Sequence, residues 1–135
     1  MMENIGTYAL KITTHLEFEK AIEKVTELLA AEKFGILTEI DVKATFKNKL
    51  DVDFKPYRIL GACNPPFAHK VLSEENLMGV LLPCNVVVWD EGDYRVVAAM
   101  NPQIMGSIID NPAIQEVADE VAAKMSGVLE KLENI

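Results

Sequence analysis

Two cysteine-asparagine pairs are the residues of this sequence whose types and spacing best suit chemistry. Cys63-Asn64 stands within the tetrad Ala-Cys-Asn-Pro, and Cys84-Asn85 stands within Leu-Pro-Cys-Asn. A thiolate is a nucleophile and a metal ligand, and a carboxamide both donates and accepts hydrogen bonds. If the fold brings the two pairs together, they line one small pocket that binds a small-molecule ligand.

Cys63 is predicted at the end of a strand, one residue before a helix that begins at Pro65 with Asn64 as its N-cap. The partial positive charge of a helix N-terminus lowers the pKa of a thiol and favours the nucleophilic thiolate. Pro65 and Pro66 weaken such a site because they remove two amide donors from the first turn. Free cysteine is also among the most buried residue types, so packing is the simpler explanation of Cys63.

The second pair and a histidine complete the candidate site. Pro83 cannot donate to a strand ladder, which predicts an edge, a bulge or a strand start beside Cys84, with Asn85 satisfying the bulged backbone. His69 lies about 130 degrees from the apolar stripe of its helix, so we expect it to be lateral or exposed. With both cysteines it makes a three-ligand zinc set, but the close Cys-x-x-Cys spacing and a fourth ligand are missing. No metal is therefore predicted.

Composition limits the classes of function. The chain has 135 residues, half of them apolar, and a formal net charge of -8 from 21 acidic and 13 basic residues. This charge repels phosphate backbones and anionic lipids, so we expect neither nucleic acid nor a membrane as a partner. The N-terminal sequence lacks the pattern of a secretory signal, which predicts a cytoplasmic protein with reduced thiols. We expect one domain over residues 1–135 and, because no phosphate-binding loop or comparable motif occurs, no cofactor.

Hydrophobic periodicity divides the first half of the chain into two strands and two helices. Period-two alternation predicts strands at residues 8–13 and 36–43. A Thr-x-x-Glu capping box at residues 14–17 predicts the start of an amphipathic helix that runs to about Lys33. Two apolar residues four apart suggest a short surface helix within residues 44–54.

Turn and cap signals organise the second half of the chain. Strands are predicted at residues 57–63, 80–89 and 94–100, and a loop containing Gly92 joins the last two as a hairpin. Three Asn-Pro pairs mark helix starts, because asparagine is a favoured N-cap and proline suits the first helical position. They predict helices at residues 65–73 and 102–109, and a long C-terminal helix after Asn111-Pro112.

The order of these elements predicts an α+β fold. We expect a two-layer sandwich in which a mostly antiparallel, five-stranded sheet carries its two long helices on one face. The strand at residues 80–89 is apolar on both faces, with Cys84 and Val86 on one face and Val87 and Trp89 on the other. Because the second face also needs a cover, and twofold pairs are the commonest soluble oligomers, we expect a homodimer.

One stretch of the sequence also carries a family resemblance. The run YRILGACNPPFAHKVL at residues 57–72, followed by LLPCNVVV at residues 81–88, resembles the bacterial and archaeal family called Domain of Unknown Function 302. The resemblance implies a compact α+β domain similar to the layered fold of the TATA-binding protein, and a homodimer. It implies no DNA binding, which the acidic charge opposes. The family has no established activity to carry over.

Three functions remain compatible with the sequence. The preferred one is a homodimeric module that holds a small molecule, or reversibly binds a ligand through a thiol, in a pocket lined by Cys63 and Cys84. Asn64, Asn85 and His69 are its further candidate residues. The second function is an enzyme that uses Cys63 as nucleophile and His69 as base. The third is a purely structural or protein-interaction dimer in which both cysteines only pack.

Overall fold

Across the residues that the structure describes, 2–5 and 8–135, six strands form a single antiparallel sheet. The structure is a computed structural model. The strands follow one another across the sheet in the order β1-β2-β6-β5-β4-β3. Their bounds are β1 Glu3–Ile5, β2 Ala9–Thr14, β3 Gly35–Asp41, β4 Tyr57–Cys63, β5 Cys84–Asp90 and β6 Arg95–Met100.

Five α-helices and one 3₁₀ helix accompany the sheet in the described part of the chain. The longest, α5, keeps apolar residues at helical spacing along one side, and these residues are buried. No helix among the described residues is both long enough and apolar enough to cross a membrane. The bounds are α1 Phe18–Ala31, α2 Val42–Leu50, α3 Pro65–Glu74, the 3₁₀ helix Asn76–Leu81, α4 Gln103–Ile108 and α5 Pro112–Glu133.

The hydrophobic core lies between the sheet and the two long helices, α1 and α5. Alternate strand residues point to this layer, and the apolar stripes of both helices pack on them and on each other. The predicted α+β fold with two long helices is therefore confirmed. The innermost side chains include Ile12, Leu60, Val86, Val88 and Val97 of the sheet and Val25, Leu29, Met125 and Leu129 of the helices.

The sheet differs from its prediction at two strands. Six strands occur instead of five, because the edge strand β1 is only three residues long and too short to show alternation. The predicted strand at residues 80–89 begins at Cys84, and the preceding apolar residues belong to the 3₁₀ helix. A short apolar run has no period that separates the two conformations, so the sequence alone misplaced this boundary.

Two predicted helix caps have different outcomes. The capping box at residues 14–17 is wrong: Thr14 still pairs with Arg95 in the sheet, and its hydroxyl oxygen accepts a hydrogen bond from the Leu16 amide at 3.2 Å. Helix α1 therefore begins later, with Glu17 at the N-cap. The cap at Asn111 is confirmed, because its side-chain oxygen accepts from the amides of the second and third helical residues.

The outer face of the sheet is only partly covered by the chain itself. The Tyr57 and Trp89 rings stack there with their centroids 5.6 Å apart, and Phe54 packs against Tyr57. Trp89 donates a 2.6 Å hydrogen bond from its indole nitrogen to the Glu91 carboxylate. These rings leave Val87 and Trp89 half-buried.

A bulge shapes the edge of the sheet next to the end of β4. The register of β3 against β4 shifts between Ile36 and Thr38, which displaces Leu37 from the regular ladder. Thr38 lies opposite Gly61, where a Cβ atom would overlap the Thr38 side chain and the Pro83 ring. Glycine at position 61 therefore permits the close approach of β3 and the start of β5 over β4.

Replacing Gly61 with alanine should destabilise the protein, because the added methyl group would overlap the Thr38 side chain and the Pro83 ring. We expect the free energy of unfolding to fall by about 2 kcal/mol, as at other overpacked sites. Urea denaturation measures this change. Gly127→Ala within α5 is the control: nothing lies within 4 Å of the added Cβ, and the change should stabilise by about 0.5–1 kcal/mol. Unchanged stability of Gly61→Ala would contradict the account.

Candidate functional site

A cavity of about 280 Å³ opens at the end of the sheet where β4 finishes and β5 begins. We call it the end cavity. The sheet contributes Ala62 and Cys84, which are direct partners in the β4–β5 ladder. Helices α3 and α5 form its sides, and β3 and α4 complete it. The helical wall residues are Phe67, Ala68, Val71 and Leu72 of α3, Met105 of α4, and Val117 and Val121 of α5.

The wall of the end cavity is almost entirely apolar. Besides the two cysteines, only Asn64 brings a polar side chain to it. Among the described residues that line the cavity, none carries a charged side chain. An ion placed inside would lose its hydration without gaining a counter-charge, so the cavity suits an uncharged occupant.

Local sequence explains how α3 comes to stand beside the strand ends. Pro65 and Pro66 occupy the first two positions of α3, where a missing amide hydrogen leaves no intrahelical bond unmade. The chain therefore turns from strand into helix within one residue of Cys63. This turn brings Phe67 and Val71, one helical turn apart, over the end of β4.

The two thiols differ in exposure and are free, with no disulfide between them. Cys84 is only 5% exposed, whereas Cys63 is half-buried. Burial, with a smaller contribution from neighbouring Cys63, raises the pKa of the Cys84 thiol from 9.0 to about 11. Cys84 is therefore a protonated, weakly nucleophilic thiol at neutral pH.

Asn64 occupies the predicted N-cap position of α3 but does not act as a side-chain cap. It is 7% exposed, and its amide nitrogen donates a 3.3 Å hydrogen bond to the backbone oxygen of Glu32, which follows α1. The predicted role of Asn64 is thus corrected. Its side chain therefore connects the start of α3 to the end of α1 instead of capping α3.

The structure brings three of the five candidate residues to one cavity. Cys63, Asn64 and Cys84 line it, whereas Asn85 is exposed and alternates to the other sheet face from Cys84. His69 is exposed on α3, as its helical angle predicts, and is not part of the wall. Among the described residues, no three His, Cys, Asp or Glu side chains are grouped to hold a metal ion.

Most of the cavity wall was not predicted as a site. The sequence placed Phe67, Ala68, Val71 and Leu72 on the inward side of α3. All four line the cavity, but only Val71 is buried, and Leu72 is exposed. Periodicity identifies such a stripe but cannot show that the space beside it is left unfilled. The wall also includes Phe34, which directly precedes β3, and Leu37, which lies in the bulge of β3. A bulge leaves no mark in the pattern of the sequence.

These features define an α+β protein with an apolar cavity at the end of an antiparallel sheet. A family model described as "Domain of unknown function DUF302" matches residues 10–132, so the chain belongs to the DUF302 family. A crystal structure of an uncharacterized conserved DUF302 protein from Bacillus stearothermophilus is similar, with 28% identity and a TM-score of 0.86. The match covers 94% of this chain and 99% of that one. No curated protein matches the chain.

The buried Cys84 thiol should make stability depend on pH in the alkaline range. An unfolded thiol loses its proton near pH 9, whereas folded Cys84 keeps its proton up to about pH 11. The contribution of the buried Cys84 thiol to the free energy of unfolding is therefore fully present below pH 9. It is lost as pH rises towards 11, at about 1.4 kcal/mol per pH unit. Urea denaturation of wild type and Cys84→Ala between pH 8 and 11 measures it by difference, since other groups titrate in both. Parallel curves would contradict a buried, protonated thiol.

Proposed function

We propose that this DUF302 protein binds a small, mostly apolar molecule in the end cavity. The observation that carries the proposal is an apolar wall, contributed by four separate parts of the fold, around about 280 Å³ of unfilled space. The space is open to solvent on one side, and a concave, mostly apolar pocket of this kind is the usual form of a small-molecule site. A ligand that fills the cavity would remove its apolar wall from water.

The volume indicates the size of the ligand. An engineered cavity of about 150 Å³ binds benzene, so a space of about 280 Å³ suits two fused rings or an aliphatic group of similar bulk. Burial of apolar surface supplies about 25 cal/mol per Å² removed from water. Shape and apolarity therefore drive the binding, which is typical of small-molecule sites.

Two leucines at the mouth support access from solvent. Leu37 on the bulge of β3 is 67% exposed, and Leu72 on α3 is 37% exposed, although both also line the cavity. An apolar ligand that enters between them would cover part of their exposed surface. The bulge that Gly61 permits is thus part of the entrance as well as of the sheet edge.

Noncovalent binding is favoured over chemistry at a thiol. Cys84 is protonated at neutral pH because burial raises its pKa to about 11. Cys63, the nucleophile suggested for an enzyme, is half-buried in a wall whose described residues carry no charged side chain. His69, the base suggested for an enzyme, stands outside the cavity wall, and the described wall residues include no other side chain that acts as a base near neutral pH. The arrangement supports a binding module rather than a cysteine-dependent enzyme.

Binding of 2-naphthol tests the proposal directly. We expect saturable binding of one molecule per chain with a Kd of about 1 mM or tighter, as a ligand of this size allows. Ala68→Phe puts a ring into the cavity and should weaken binding at least tenfold, because the space is then occupied. Ala30→Phe, on the exposed side of α1, is the matched control and should bind like wild type. Isothermal titration calorimetry measures all three.

Two outcomes of this experiment would contradict the proposal. The first is no saturable binding to the wild-type protein. The second is equal weakening by Ala68→Phe and Ala30→Phe, which would place the probe outside the end cavity. Circular dichroism and thermal melting of each variant establish that the folded protein is being compared.

We also infer that a second copy of the chain covers the surface formed by β3 and α2, which we call the β3–α2 surface. Helix α2, described in full, buries none of its residues. Strand β3 is an edge strand of the sheet, so none of the described strands pairs with its outer backbone groups. This surface and the segment that follows α2 expose four large apolar side chains that are not part of the cavity wall, Ile40, Leu50, Val52 and Phe54.

The charges of the β3–α2 surface support a twofold partner. Helix α2 carries Lys43, Lys47 and Lys49 within a chain of net charge -8, and acidic residues lie directly before and after it. Lys47 is already paired within its own chain, 3.0 Å from Asp51 and 3.6 Å from Asp53, so a twofold copy can set Lys43 and Lys49 of one chain against the acidic flanks of the other. The outer face of β5, from which the dimer was first expected, is the weaker candidate because the Tyr57–Trp89 stack already covers part of it.

Light scattering during size-exclusion chromatography tests this assembly. We expect wild-type protein at micromolar concentration to have twice the mass of one chain. Leu50→Lys should reduce the mass to one chain, because it places a charge in the apolar centre of the β3–α2 surface. Val80→Lys, at an 82% exposed position of the 3₁₀ helix, is the control and should remain double. A wild-type mass of one chain would contradict the inference.

A further inference from the structure

We propose that Asn64 is the polar anchor of the end cavity, and that the ligand is an uncharged molecule carrying one hydrogen-bond donor on an apolar body. This inference rests on the proposed function and adds the chemical class of the ligand. It follows from the side-chain oxygen of Asn64, the surroundings of that oxygen, and the sequence that follows it.

The side-chain amide of Asn64 has a defined orientation. Its nitrogen Nδ2 lies 3.3 Å from the backbone oxygen of Glu32, and a carbonyl oxygen only accepts hydrogen bonds. The nitrogen, not the oxygen, must therefore face Glu32. Oδ1 then faces another direction, and no described residue donates a hydrogen bond to it.

An acceptor without a partner at this position is unusual, because Asn64 is 93% buried and buried polar groups are nearly always hydrogen-bonded. The oxygen is not completely sealed, since it is not among the fully buried side-chain atoms without a partner. Asn64 is part of the cavity wall. A donor on a ligand in the cavity would satisfy the oxygen.

In the other two Asn-Pro pairs of the chain, the asparagine oxygen accepts a hydrogen bond from a backbone amide, which the Asn64 oxygen does not. Asn101 Oδ1 accepts a hydrogen bond from the Gln103 amide at 3.1 Å, and Asn111 Oδ1 accepts one from the Ala113 amide at 2.9 Å. In each case the backbone amide two residues after the asparagine is a donor, and Asn111 Oδ1 also accepts a longer bond of 3.4 Å from the Ile114 amide. The corresponding residue after Asn64 is Pro66, which has no amide hydrogen.

Pro66 therefore explains why the Asn64 oxygen is available. An Asn-Pro pair begins α3 and α5 and directly precedes α4, and only at the end cavity does a second proline stand in place of the amide that donates to the asparagine oxygen. Helix α3 therefore lacks a side-chain cap. The Asn64 oxygen is instead the acceptor that the only amide side chain among the described wall residues offers to a hydroxyl or N–H donor.

The rest of the wall restricts the ligand to an uncharged molecule. A carboxylate would meet no cationic side chain among the described wall residues, and the Asn64 oxygen would repel it. The protonated state of Cys84 points the same way, because burial there disfavours even the protein's own anion. A neutral alcohol, phenol or amide with an apolar body fits both the volume and the acceptor.

Three probes of similar shape test this inference by calorimetry: 2-naphthol, naphthalene and 2-naphthoate. In wild-type protein, we expect 2-naphthoate to bind at least tenfold more weakly than 2-naphthol. Asn64→Ala should weaken 2-naphthol binding about tenfold more than naphthalene binding, because it leaves the buried hydroxyl without an acceptor. A purely structural role for Asn64 would weaken both probes equally.

Pro66→Ala tests whether the free Asn64 oxygen Oδ1 binds the ligand, while Asn64 itself stays unchanged. The restored backbone amide should donate to Asn64 Oδ1, as the corresponding amides do at Asn101 and Asn111, and should thereby compete with the ligand. We expect Pro66→Ala to lower the preference for 2-naphthol over naphthalene while naphthalene binding is retained. Pro65→Ala is the matched control, because the side chain of an N-cap residue accepts from the second or third helical amide and not from the first.

The outcomes separate this inference from the proposed function. If neither naphthalene nor 2-naphthol binds to wild-type protein, the proposed function itself is wrong. If both bind, and neither Asn64→Ala nor Pro66→Ala changes their ratio, the cavity binds ligands but Asn64 is not the anchor. Equal affinity for 2-naphthoate and 2-naphthol would overturn the restriction to neutral ligands.

Discussion

The register between β4 and β5 fixes the position of every group in the end cavity. The pairing runs from Tyr57 opposite Trp89 at one end to Ala62 opposite Cys84 at the other. Because the ladder stops there, α3 can start directly after β4 and stand over the open end of the sheet. A shift of one residue would exchange the two faces of each strand and remove Cys84 from the core.

The chemistry of the cavity follows from this placement. Burial keeps the Cys84 thiol protonated, since its pKa is raised to about 11, and leaves the apolar wall with one amide group. The double proline at residues 65–66 frees the oxygen of that amide from helix capping. One strand end thus combines apolar volume with a single acceptor, which supports recognition of a neutral ligand rather than catalysis by a thiolate.

The sequence predicted the fold more fully than the site. Long periodic segments identified both helices and most strands, and the tetrads around Cys63 and Cys84 identified the right end of the sheet. The 3₁₀ helix escaped prediction because a short apolar run has no distinguishing period. The cavity was not predicted because it is a space that the surrounding side chains leave unfilled, and no single residue specifies such a space. The sequence predicted Asn64 as a cap although it also showed that Pro65 and Pro66 lack amide hydrogens. The side chain instead bonds to Glu32, which is 32 residues away in the sequence, and periodicity does not predict such a contact.

A crystal structure of the protein soaked with 2-naphthol would show whether Asn64 anchors a ligand in the end cavity. We expect density for one naphthol there, with its rings between α3 and α5 and its hydroxyl about 2.7–2.8 Å from Asn64 Oδ1. A cavity filled by the protein's own side chains, or a naphthol bound elsewhere with the Asn64 oxygen unoccupied, would contradict this expectation.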